Sequence, residues 1–90
     1  MASRKTLKQN IKTICTELFA EGVALSLYGK SEHKENTDAL LFSIIKLEDD
    51  FVSRISHVEP GIKASQYFKD LTENFNARVT ELIDQINNIQ

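Results

Sequence analysis

The sequence predicts an all-α protein, an antiparallel up-down-up bundle of three helices. Three observations lead there. Apolar residues recur at the helical period in three separate segments. Two polar breaks, "YGKSEHKENT" at 28–37 and "VEPGIK" at 58–63, divide the chain into segments of similar length. Three Gly and one Pro are too few for the many turns of a strand-rich fold. Ninety residues suit a single domain, 1–90, with helices expected at about 5–27, 38–57 and 63–89.

In the first segment, Leu7, Ile11, Ile14, Leu18 and Leu25 fall on one stripe, which Cys15, Phe19 and Gly22 widen on one side. Gly29 stands where a left-handed residue often ends a helix. Gly22 lies on the apolar side, where a glycine costs a helix about 1 kcal/mol relative to Ala. It is therefore expected to mark a close approach of a neighbouring helix.

In the second segment, Asn36 or Thr37 is the expected N-cap, and Asp38 would favour the positive end of the helix dipole. Leu40, Ile44, Leu47, Phe51, Ile55 and Val58 advance 18 residues in five steps, or 3.6 per turn. Leu41, Ile45 and Val52 form a second stripe beside them. The two together span roughly 160° at ~100° per residue, wide enough to meet two neighbours. In the third segment, Ala64, Phe68, Leu71, Phe75, Val79, Leu82, Ile86 and Ile89 advance 25 residues in seven steps, again the helical period.

Composition bounds the function. Apolar residues make up 41% and charged residues 27%, as in ordinary globular proteins. No apolar run approaches the ~20 residues of a membrane span, and no signal-like run of apolar residues follows the charged start. The sequence therefore predicts a cytoplasmic protein with no membrane partner. A single cysteine excludes an internal disulfide and a zinc site built on cysteine pairs. Cys15, beside Ile14, Leu18 and Phe19, is read as a small buried hydrophobe.

Catalytic and metal motifs are missing. The residues three before His33 and His57 are Lys30 and Arg54, so no Glu-x-x-His metal motif forms. There is no phosphate-cradling glycine loop and no nucleophile elbow. The polar stretch "EDDFVSRISHVEPG" reads as the end of a helix. Asp50, Arg54 and His57 share an outward face, Asp50–Arg54 as a surface pair, and Glu59-Pro60-Gly61 stops the helix. Glu48 falls between the two apolar stripes and needs a cation, for which Arg78 is a candidate. No enzyme and no cofactor is expected.

Two features suggest partners. Leu27 and Phe42 project away from their helices' main stripes, on either side of the 28–37 break. They are expected to mark a partner surface unless that loop folds back over them, and a homodimer is the expected assembly. Arg4, Lys5, Lys8 and Lys12 give residues 1–16 a charge of +4 with no acid, within a chain of net charge −2. As a basic arm, frayed and solvated or touching an acidic partner, they could support only weak, salt-sensitive nucleic-acid binding. The readings are, in order, a self-associating protein-interaction module, a nucleic-acid accessory protein using the arm, and a small-ligand or metal binder using Glu48 or His57. The stretches "ELFAEGVALSLYG", "ISHVEPG" and "YFKDLTENFN" resemble, over nearly the whole chain, a family of short all-helical bacterial proteins of unknown function. The resemblance implies a compact helical fold in a bacterial cytoplasm and brings no site residues.

Overall fold

The computed structural model describes residues 4–58 and 60–89. The chain forms α1 (Arg4–Tyr28), a single 3-10 turn (Ser31–His33), α2 (Lys34–Ser56) and α3 (Ala64–Ile89). Among the described residues every regular element is helical, so the all-α class holds. The molecule is elongated, 48 × 18 × 17 Å, as helices of 25, 23 and 26 residues require.

The core is one cluster running the length of the molecule. It takes Ile11, Cys15 and Leu18 from α1, Leu40, Ile44, Leu47, Phe51 and Ile55 from α2, and Leu71, Phe75, Leu82 and Ile86 from α3. All five core residues of α2 come from the stripe with the 3.6-residue step. The rings of Phe51 and Phe75 meet edge-on at 5.3 Å and join α2 to α3. Gly22 is buried against α2, where an added Cβ would lie 2.6 Å from Leu41 Cδ2 and 4.0 Å from Ile44 Cδ1. The close approach expected at Gly22 is therefore made by Leu41.

Several local expectations are corrected. α2 starts at Lys34, four residues before the expected Asp38, because the 3-10 turn runs straight into it. Thr37 is thus inside the helix, 1% exposed, and its hydroxyl donates to the His33 carbonyl at 2.9 Å instead of capping the free N–H groups. Gly29 does not take a left-handed conformation. Its N–H donates to Leu25 O at 2.8 Å, continuing the helical pattern. Among the described residues the positive φ belongs to Gly61, at 89°, between α2 and α3. α2 ends at Ser56, with His57 as its non-helical C-cap (φ −128°, ψ 74°). Glu59, expected to help stop the helix, lies outside the described residues.

The apolar stripe of α1 is also rotated from the expected one. Ile11, Cys15, Leu18 and Gly22 are buried, whereas Leu7, Ile14 and Leu25 are half-buried. The cause is packing. α1 meets α2 far more extensively than it meets α3. The side that carries Leu7, Ile14 and Leu25 therefore stays partly open.

Candidate partner-binding face

Leu27 and Phe42 are 68% and 59% exposed, so the 28–33 connection does not fold back over them. Phe42 has a local companion, since the Lys46 ammonium stands 5.3 Å from its ring centroid. Such a contact leaves the ring accessible but lowers its demand for cover.

Neither Leu27 nor Phe42 lines the groove that α1 and α2 leave between them. Cys15, Thr16 and Phe19 of α1 and Ile44, Ile45 and Glu48 of α2 line it, with a volume of about 240 Å³. Phe19 is half-buried there and Ile45 is 47% exposed. The sequence carried a signal for it. Leu41, Ile45 and Val52 form the second stripe of α2, and all three remain incompletely buried.

Glu48 is half-buried in this apolar groove. Arg78, its expected partner, pairs instead with Glu81 at 3.6 Å, one turn along α3. Among the described residues Glu48 has no ion pair. Its negative charge is felt by Cys15. Burial, and then the Glu48 charge, push the thiol from 9.0 up to about 11. Cys15 is therefore held as a neutral thiol, which is a poor nucleophile.

The basic residues are not an arm. α1 begins at Arg4, so Arg4, Lys5, Lys8 and Lys12 occupy its first three turns, the first, second and last of them exposed and Lys8 half-buried. Arg4 is drawn toward α3, its guanidinium 5.7 Å from the Phe68 ring centroid. Lys5, Lys8 and Lys12 fall within an arc of about 60° at ~100° per residue, on the same flank of α1 as Phe19 and Val23. That flank carries no acid, since Glu17 and Glu21 project elsewhere. On α2 the flank of Leu41, Ile45 and Val52 carries Asp38, Glu48 and Asp49, while Lys46, the one cation between Thr37 and Val52, projects about 60° further round at ~100° per residue, beside Phe42. The face that α1 and α2 build together is thus apolar along its middle, basic on the α1 side and acidic on the α2 side.

The remaining polar candidates stand apart. Asp50 and Arg54 form a two-pronged surface pair, 3.0 and 3.1 Å, and the guanidinium also lies 4.7 Å from the Phe51 ring centroid. His57 Nδ1 is 2.9 Å from Ser53 O, closing the last turn of α2. His33 lies 3.6 Å from Glu32, its neighbour in sequence. The two histidines sit at opposite ends of a 23-residue helix, about 35 Å apart. Among the described residues no three acidic, histidine or cysteine side chains converge as metal ligands do. No described helix is long and apolar enough to cross a membrane. The chain matches no protein-family model, no curated protein and no solved structure.

Proposed function

We propose that the protein is a non-enzymatic helical interaction module that self-associates through the face built by α1 and α2. The observation that carries this reading is Glu48, a half-buried carboxylate without a cation, in a groove walled by Phe19 and the exposed Ile45. A second copy covers the apolar wall and supplies the missing positive charge. Leu27 and Phe42 then stand at the rim. The underlying architecture is an antiparallel up-down-up bundle. The pairing of Gly22 with Leu41 and of Phe51 with Phe75 supports it.

A lone buried cysteine and the resemblance to short bacterial helical proteins support a cytoplasmic setting. The nucleic-acid reading keeps only three free lysines on an ordered helix, since Arg4 is engaged with Phe68, and it ranks second. Light scattering on wild type and Ile45→Glu tests the first reading. Wild type is expected to be dimeric and Ile45→Glu monomeric, both with full helicity by circular dichroism. Equal masses for the two proteins would remove this face from the reading.

A further inference from the structure

We infer that the second copy docks with its α1 along α2 of the first, around a two-fold axis parallel to the long axis of the bundle, so that the partner's Lys12 meets Glu48. The inference rests on self-association and specifies its register. Its starting point is the charge pattern of the shared face. Three lysines and no acid lie on the α1 flank. Asp38, Glu48 and Asp49 lie on the α2 flank.

A flat face of two helices has two simple self-complementary packings. With the axis across the helices, α1 lies over the partner's α1, running the other way. Lys5, Lys8 and Lys12 then face the apolar flank positions Phe19, Val23 and Leu27, since Glu21 projects to another side of α1, and Glu48 gains no cation. With the axis along the helices, α1 lies over the partner's α2, and each basic flank meets an acidic one. Opposite potentials across an interface set register and suppress the wrong one.

The levels along the axis agree with the second packing. Glu48 shares its groove with Cys15 and Thr16, and a two-fold along the axis keeps every residue at its own level. The partner's Lys12 therefore sits about one turn from Glu48, roughly 5 Å along the axis, within the reach of a lysine side chain. The partner's Phe19 arrives at the level of Ile44 and Ile45. The four helices enclose Phe19, Val23, Leu41, Ile45 and Val52 of both copies. A standard interface takes about 800 Å² from each partner, and the chain exposes 6275 Å² in all. The outer face of two helices, each over 20 residues long, is of that order. Glu48, costly to cover alone, is covered with its counter-ion.

The test is complementation in trans. Lys12→Glu and Glu48→Lys are made separately, checked for helicity by circular dichroism, and measured by sedimentation equilibrium alone and mixed in equal amounts. Each variant alone places two like charges at both copies of the contact, and its dimer is expected to weaken about tenfold or more. In the mixture both contacts again join a lysine to a glutamate, so heterodimers are expected to form with close to wild-type affinity. If the mixture is no tighter than the separate variants while wild type dimerises, the register is wrong and self-association stands. If wild type is monomeric, both fail. Glu48→Gln keeps the side-chain shape and guards against a folding defect. It is expected to flatten the salt dependence of dimerisation, and an unchanged salt slope would overturn the register.

Discussion

The hydroxyl of Tyr67 donates a hydrogen bond to the carbonyl oxygen of Arg54 at 2.9 Å, and the His57 carbonyl lies 3.4 Å from the same oxygen. A side chain from the first turn of α3 thus satisfies a carbonyl that the last turn of α2 leaves without an intrahelical donor. The bond ties the two helices together across the loop that contains Gly61. Tyr67→Phe removes only the hydroxyl. It is expected to lower stability by about 0.5–1.5 kcal/mol, read from urea unfolding with an unchanged slope.

Gly22 faces Leu41 too closely for a β-carbon, and Leu41 Cδ2 would have to move. Two effects oppose each other in Gly22→Ala. The helix gains about 1 kcal/mol of propensity, and the displaced Leu41 methyl takes back a similar amount, so the net change is expected to be small. Gly22→Val adds bulk that Leu41 cannot avoid by one rotation, and overpacking of this kind costs about 1–3 kcal/mol. Combining Gly22→Val with Leu41→Ala is expected to cost less than the sum of the two single changes. A strictly additive double mutant would contradict the contact.

Thr37 separates two accounts of how α2 begins. As an N-cap, it would tolerate Asn, which caps as well as Thr. Inside the helix and 1% exposed, with its hydroxyl on the His33 carbonyl, it cannot. Thr37→Asn is expected to cost about 1–3 kcal/mol, because a larger polar group must be buried without a prepared partner. Thr37→Ser keeps the hydrogen bond and is expected to cost less.

These cases show which parts of the structure local patterning reaches. Leu40 to Ile55 were legible as a core stripe because burial enforces the helical step on every member. The Asp50–Arg54 pair was legible because it lies one turn apart on a single helix. The start of α2 was not. Ser31–His33 carries no apolar periodicity, and Thr37 looks like a cap until the turn before it is seen to be helical. The Tyr67–Arg54 bond joins residues from two helices, and no spacing within either helix encodes it. At the partner face, the sequence singled out Leu27 and Phe42 because they depart from a stripe. The sequence singled out Glu48, between two stripes, but the groove around it was hidden because Phe19 and Ile45 belong to stripes. Only the relative rotation of α1 and α2 leaves them uncovered.

Cys15 makes the protein's stability depend on pH in the alkaline range. Its thiol is raised from 9.0 to about 11 in the folded chain, first by burial and then by Glu48. A group with a raised folded value binds its proton more tightly when folded. Its contribution is therefore complete below about 9 and is lost as pH rises from there through about 11. Cys15→Ala is expected to remove that part of the alkaline decline in melting temperature. The native thiol is also expected to resist iodoacetamide near neutral pH and to react on unfolding. Rapid labelling of the folded protein would contradict its burial.

Self-association is the claim on which the functional reading depends. Sedimentation equilibrium on the wild-type chain, near 150 mM salt, where exposed charges about 8 Å apart are already screened, over a hundredfold range of concentration, tests it most directly. A mass approaching twice 10.2 kDa, reached with rising concentration, is the expected result. A mass that stays at 10.2 kDa across the whole range would contradict it.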